Sequence, residues 1–298
     1  MTTTSVDLEA LPRGALTRFA PAPTGYLHLG HVANALWTWG VARATGGRVL
    51  LRIEDHDRQR TRPAFTEAIG EDLRWLGFVP DAGPVTQTDA EAQAGYAAAL
   101  ATLREQDRLY GCACTRATFA TWAAAHGRAW SGIGCPGGCR ERRVDGPVLR
   151  AALGAGQEAW LDALVGPCSG AVAEASGDLA VRDRHGNPTY GLCVVVDDLR
   201  QGVEVVVRGR DLLHATPAQV RLARLLGRAA PAAFAHHRLI RRPDGSKLSK
   251  SAGDTGVAEL RAAGHAPSEV IAMALAGLGD ERPPRVDEHL AGLGSHHG

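Results

Sequence analysis

A parallel β-sheet with helices on both faces, interrupted by an inserted subdomain and followed by a short helical segment, is the α/β fold that this 298-residue sequence predicts. Three observations lead there. Short β-type runs alternate with helical patterns over roughly the first hundred residues. The alternation lapses between Tyr110 and His185, where glycine, arginine and cysteine are frequent, and it resumes from Leu192.

The elements follow in order. Ala15 to Ala20 reads as a strand broken by Pro21, Pro23 and Gly25, and a helical pattern runs from Leu29 to Ala44. Arg48 to Ile53 is a second strand. Phe65, Ile69, Leu73 and Leu76 recur at helical spacing, as do Tyr96, Leu100 and Leu103. Beyond the lapse, Leu192 to Val196 and Val203 to Val207 read as strands. Thr216 is expected to cap a helix with Pro217 at its first position, leading into Val220, Ala223 and Leu226. A strand from Phe234 to Ile240, helices at Val257 to Ala263 and Ser268 to Leu278, and a Gly/His-containing tail complete the chain. The expected division is a first catalytic half at 1–105, an insertion at 106–190, a second half at 191–251 and a C-terminal segment at 252–298.

A hydrophobic fraction of 45% is enough for a sizeable core. The start has no basic cluster leading into an apolar run, and no later stretch is long enough to span a bilayer, so a cytoplasmic protein without membrane contact is expected, and a monomer. A net charge of +1 gives no overall electrostatic footprint for nucleic acid, so any such partner must meet a local patch. Six cysteines in a reducing compartment point to metal binding or burial, not disulfides. Lysine occurs only at Lys247 and Lys250, and arginine fills every other cationic position. Two lysines three apart suggest a site that needs a compact, flexible ammonium where a planar fork would not serve. The alternative is a chance pair on a solvated loop.

His28-Leu29-Gly30-His31 sits where the first strand hands over to its helix, the place where open α/β sheets bind ligands and where a helix N-terminus favours phosphate. Gly25 and Gly30 would let backbone approach a nucleotide, and His28 and His31 would donate to phosphate oxygens. Taken alone, an HxxH pair also fits a metal site or a polar helix start. Lys247-Leu248-Ser249-Lys250-Ser251 follows Pro243-Asp244-Gly245 in a turn-and-loop segment.

Together these segments resemble the HIGH and KMSKS signatures of class I aminoacyl-tRNA synthetases. Arg18 to Gly25, Leu51-Arg52-Ile53-Glu54-Asp55-His56-Asp57 and Val206-Val207-Arg208-Gly209-Arg210-Asp211-Leu212 are similar to the glutamyl branch. The resemblance runs from about Thr17 to Ser251 and implies a Rossmann-like catalytic domain that activates L-glutamate with ATP and Mg²⁺. It implies that Arg18, Tyr190 and Arg208 hold the γ-carboxylate and that Glu54, with the Ala20 to Ala22 backbone, holds the α-ammonium, in a pocket completed by Phe19, Ala20, Pro21 and Ala22. His28, His31, Lys247 and Lys250 would stabilise charge developing on the phosphates, with Gly25 and Gly30 at the nucleotide. An arginine fork suits a carboxylate bidentately. Two departures stand out: Ala22 where the branch often has serine, and Gly191 where full-length relatives often have asparagine. Weakened contacts are expected at both.

Cys112-Ala113-Cys114 and Cys135-Pro136-Gly137-Gly138-Cys139 lie about twenty residues apart, compatible with four thiolates closing a structural zinc site. The C-x-C half is tighter than usual. The similarity to the glutamyl-Q-tRNA(Asp) synthetases, which place zinc here with C-x-C and two further ligands four apart, supports it, although that group often has tyrosine where Cys135 stands. Cys168 and Cys193 are unpaired in this scheme, with Cys193 a core residue of a β run.

Only about 48 residues follow Lys250, short of the roughly 100–150 of a typical domain, so no separate anticodon-reading domain is expected. Length and cysteine pattern therefore resemble the glutamyl-Q-tRNA(Asp) synthetases, which transfer glutamate to queuosine in the anticodon of tRNA(Asp). A truncated synthetase charging the 3′ end of tRNA(Glu), or a non-catalytic regulator on the same fold, are the alternatives. Arg140, Arg142, Arg143, Arg238, Arg241 and Arg242 are candidate phosphate contacts, each equally readable as a solvated charge.

Overall fold

The computed structural model describes residues 6–130, 134–172, 177–240 and 256–294. The chain begins with β1 (Leu16–Phe19), α1 (Leu29–Thr45), β2 (Arg48–Ile53), α2 (Pro63–Trp75), β3 (Ala82–Thr86) and α3 (Ala90–Glu105). There follow β4 (Leu109–Cys112), α4 (Arg116–His126), β5 (Val148–Ala151), β6 (Gln157–Asp162), β7 (Gly166–Ala171) and β8 (Leu179–Arg182). It continues through α5 (Tyr190–Arg200), β9 (Val205–Gly209), α6 (Thr216–Leu225), β10 (Ala233–His237), α7 (Val257–Ala262), α8 (Pro267–Leu278) and α9 (Val286–Gly294).

Strands β1, β2 and β3 are parallel, with Leu16 opposite Arg48 and Phe19 opposite Leu51. A second group of strands has the order β7-β6-β10-β9, with β9 and β10 parallel and Val205 opposite Ala233. The two groups adjoin where Glu204 N–H donates to Leu16 O at 3.0 Å, which sets β9 beside β1. From the β1–β9 line β1, β2 and β3 run outward one way and β9 and β10 the other, and such a switch point opens a crevice at the strand ends.

Helix α1 fills the space over this line. Val32, Leu36, Trp37, Trp39 and Val41 are all at most 3% exposed, in one core with Phe19, Val49, Ile53 and Val207. It stops at Gly46, whose φ of 68° is the left-handed conformation that terminates a helix cheaply only with glycine. Strands β4, β5 and β8 make a separate antiparallel sheet. The β6–β7 hairpin, which also lies between residues 106 and 190, joins the parallel sheet instead: Asp162 pairs with Phe234, and Ala163 N–H donates to Phe234 O at 2.7 Å. Among the described residues no helix is long and apolar enough to cross a membrane.

Three expectations need correction. Leu192 to Val196 is not a strand but the middle of α5, and Cys193 is buried in that helix. Every residue of the run is at most 6% exposed because α3, α6 and β8 pack around it, and an apolar run buried on all sides carries no period that separates helix from strand. Thr216 does not cap α6. A 3₁₀ turn over Arg210–Ala215 runs directly into the helix, and the threonine hydroxyl instead accepts from Arg208. The expected tail contains α9, which seats His289 on Leu76 O at 2.9 Å and stacks it on Phe78.

Candidate active site

At the C-terminal ends of β1 and β9 lies a cleft of about 420 Å³, within the range of small-molecule sites. Arg18 to Ala22 form one wall, and Val207, Arg208 and Gly209 another. His28, Gly30 and His31 line the mouth, with Glu54 and Tyr190 completing the set. Residues from stretches far apart in sequence thus meet in one place.

The two histidines build the start of α1. His28 Nδ1 accepts from Gly30 N–H and His31 Nδ1 accepts from His28 N–H, each at 3.1 Å, so the pair forms a reciprocal cap. With both Nδ1 atoms accepting, each neutral ring carries its proton on Nε2, and both rings are donors beside a positive helix end. Gly30 is required for a reason the sequence did not reveal: a Cβ there would stand 2.9 Å from Cε1 of the capping His28.

Deeper in, charges are interlocked. Arg18 Nε and Arg52 Nη1 both donate to Oδ1 of Asp198, at 3.1 and 2.8 Å, and Arg52 Nη2 reaches Glu54 Oε1 at 3.2 Å. Burial favours protonation of Asp198, but Arg18 and Arg52 outweigh it and hold the carboxyl below its usual range. Burial pushes Glu54 up, with Arg52 opposing, as suits a carboxylate waiting for a cation. Glu54 N–H donates to Pro21 O at 3.0 Å, which ties the end of β2 to the Pro21 segment.

Arg208 is 4% exposed and has different neighbours. Nε donates to His236 Nε2 at 2.9 Å, Nη1 to Gln219 Oε1 at 2.6 Å and Nη2 to Thr216 Oγ1 at 2.9 Å, and Tyr190 lines the same cleft. Burial lowers the Arg208 pKa, and Arg18 adds to the effect. Burial also lowers His236, so these partners are neutral.

Of the residues singled out from the sequence, Arg18, Phe19, Ala20, Pro21, Ala22, His28, Gly30, His31, Glu54, Tyr190 and Arg208 come together here. Gly25 does not line the cleft. Lys247, Lys250, Arg241 and Arg242 lie outside the described residues. Sequence reasoning missed Asn34 and His237, which meet at 3.1 Å in the cleft wall, and the supporting Asp198, Gln219, His236 and Asp162. The adjacent His236-His237 pair on a short strand was the available signal. At Gly191 a Cβ would stand 2.8 Å from Leu179 Cδ2, so a longer side chain there would require Leu179 to move.

Away from the cleft, the sulfurs of Cys112, Cys114, Cys135 and Cys139 all lie within 4.8 Å of one another. Cys114 and Cys139 are 3.7 Å apart, close to the edge of a tetrahedron with metal–sulfur bonds of about 2.3 Å. Cys139 N–H donates to Cys135 Sγ at 3.3 Å, and a Cβ at Gly137 would stand 2.8 Å from Cys114 Sγ. Burial pushes Cys135 up to about 12; it also acts to raise Cys139, but the Ala113 N–H and the neighbouring thiols outweigh it and bring Cys139 to about 7. The four can hold a metal ion. Arg142 donates to Gly137 O in this loop, while Arg140 and Arg143 are exposed. Arg238 is engaged by Glu281, which accepts from its backbone N–H at 2.9 Å.

The family described as tRNA synthetases class I (E and Q), catalytic domain, matches residues 15–123 and 140–282. Cys135 and Cys139 fall in the interval between the two matched segments. A glutamyl-Q tRNA(Asp) synthetase of Symbiobacterium thermophilum is 43% identical, over 92% of this chain and 90% of the relative. One of Nocardia farcinica is 41% identical, over 94% and 90%. A glutamate–tRNA ligase of a Synechococcus is 38% identical over 84% of this chain but 54% of its own length. Among solved structures, a glutamate tRNA ligase from Elizabethkingia meningosepticum in complex with its amino acid is 25% identical with a TM-score of 0.72, covering 96% of this chain and 70% of that one.

Proposed function

Because this chain belongs to the class I glutamate and glutamine tRNA synthetase family, and within it to the glutamyl-Q tRNA(Asp) synthetases, we propose that its cleft activates L-glutamate with ATP and transfers it to queuosine in the anticodon of tRNA(Asp). The observation that carries the glutamate reading is Arg208: a buried guanidinium, held by neutral partners, in a cleft that also contains Arg18 and Glu54. A ligand with an anion at one end and a cation at the other satisfies both.

In this reading Arg18, Tyr190 and Arg208 hold the γ-carboxylate, and Glu54 with the Ala20 to Ala22 backbone holds the α-ammonium. A neutral glutamine amide would set its NH₂ against guanidinium donors, and aspartate would fall one methylene short. The glutamate α-carboxylate oxygen attacks the α-phosphorus of ATP, the bond to the bridging oxygen breaks, and pyrophosphate leaves. His28 and His31 donate to the phosphates through Nε2, Lys247 and Lys250 supply further positive charge, and catalysis is positioning plus stabilisation of charge. Mg²⁺ carried with ATP would neutralise the triphosphate. A hydroxyl of the queuosine cyclopentene-diol then attacks the adenylate carbonyl, loses its proton and displaces AMP.

Zinc on Cys112, Cys114, Cys135 and Cys139 would stabilise its own loop and take no part in the chemistry. The choice of acceptor rests on relatives of that name matching over 90% of their length. Labelled glutamate, ATP and enzyme incubated with tRNA(Asp) containing or lacking queuosine, and with tRNA(Glu), test it. Label is expected only on queuosine-containing tRNA(Asp). Label on tRNA(Glu) that is lost after periodate oxidation of its 3′ end, with none on tRNA(Asp), would install the 3′-charging alternative.

A further inference from the structure

Arg208 is oriented from behind by a relay that starts outside the cleft. At the end of β6, Asp162 Oδ1 accepts from Leu164 N–H at 3.0 Å and Val165 N–H at 3.1 Å in the turn that follows, which fixes the carboxylate. Its other oxygen binds Nδ1 of His236, a ring that is 0% exposed. The second nitrogen, Nε2, faces Nε of Arg208 at 2.9 Å. An arginine Nε always carries its hydrogen, so His236 Nε2 must accept and Nδ1 must carry the proton, which goes to Asp162. Asp162, Arg208 and Arg18 are the charged groups acting on this ring, with the Thr216 hydroxyl at 3.4 Å and Phe234 stacked beside it.

We infer that Asp162 and His236 are positioning residues that set the plane of the Arg208 fork and thereby the preference for glutamate over glutamine. The inference rests on the glutamate reading above. A planar guanidinium gives its full advantage to a carboxylate only when both donors point at it, and a bond to Nε fixes that plane where bonds to the two terminal nitrogens alone would leave it to rock. The neutral imidazole also keeps Asp162 one ring away from Arg208, so the guanidinium is supported without being neutralised by direct contact.

Substitutions separate the roles. In Asp162→Asn, an amide oxygen kept on the Leu164 and Val165 N–H groups turns NH₂ toward His236. The ring then takes the other tautomer and sets Nε2–H against Arg208 Nε–H. His236→Asn keeps the group facing Asp162 and loses the acceptor for Arg208, whereas His236→Gln puts an amide oxygen where Nε2 stood. Glutamate-dependent ATP–pyrophosphate exchange, with glutamate and glutamine binding by calorimetry on the full chain, gives the readout. D162N and H236N should raise the glutamate KM about 10- to 100-fold and narrow the glutamate-to-glutamine ratio, with the ATP KM near wild type and H236Q retaining most of the affinity. Unchanged glutamate KM in folded D162N and H236N, or parallel rises for glutamate and ATP, would overturn the inference. Should D162N fail to fold, the contrast between H236N and H236Q decides. Wild-type protein without glutamate-dependent exchange would instead overturn the glutamate reading itself.

Discussion

Arg52 donates to Asp198 at 2.8 Å with its side chain fully buried, although the two residues are 146 positions apart in sequence. This contact locks the end of β2 to α5, and Arg18 binds the same oxygen from β1.

Asp198→Ala should leave both buried guanidinium groups without their shared carboxylate. Removing one partner of a buried pair costs about 3–5 kcal/mol, so denaturant midpoints should fall accordingly, and glutamate binding should weaken because Arg18 loses its support. Urea unfolding alongside calorimetry checks both. A variant of wild-type stability would show that Asp198 is dispensable to the fold.

One zinc per chain is expected in protein purified without chelators. Cys135→Ser should reduce the zinc content sharply and expose the segment between Cys112 and Arg150 to proteolysis, while pyrophosphate exchange stays near wild type. Metal analysis together with limited proteolysis decides, and full zinc content in the serine variant would exclude Cys135 as a ligand.

Lys250→Ala should slow activation by about 10²–10³, the range for removing a donor aimed at developing charge. Because Lys247 and Lys250 are the only lysines, amine-reactive reagents can modify just these side chains and the N-terminus. Modification should abolish exchange, and ATP should protect. Complete modification with full activity would remove both from the mechanism.

Acid should destabilise the fold through its buried histidines. Burial lowers His237 to about 4 from 6.5, and lowers His236 and His289 as well. Above pH 6.5 these rings are neutral in both folded and unfolded chains, and their contribution is complete. As pH falls from 6.5 towards 4 the unfolded chain binds protons that the folded chain refuses, so stability drops, by about 1.4 kcal/mol per pH unit for His237, with His236 and His289 acting in the same direction. Below the folded pKa the loss from that ring stops. Urea midpoints across this interval should fall in wild type and fall less in His237→Asn; identical profiles would exclude His237 as a source.

Much of the site was legible because its chemistry is local. His28 and His31 cap their own helix across three residues, Arg18 and Arg208 lie near the ends of their own strands, and Cys135 and Cys139 share one tight turn, so short segments carried the resemblance that pointed to them. The parallel sheet was legible for the same reason, since β1, β2, β9 and β10 each show a short apolar run. What sequence could not decide was whatever depended on surroundings. Leu192 to Val196 could not be told apart as helix or strand because three neighbouring elements bury it from all sides, which erases the period that would have identified it. The β6–β7 hairpin belongs to the sheet because Asp162 meets Phe234, a pairing 72 residues apart that no local pattern encodes. The same distant pairing brings Asp162 to His236 and so to Arg208. The sequence by itself, through its resemblance to the synthetase signatures, named candidate side chains for a carboxylate, a phosphate and a metal. Only the tertiary structure decided how the arginine is aimed, because a hydrogen bond between remote strands exists only once the sheet has set their register.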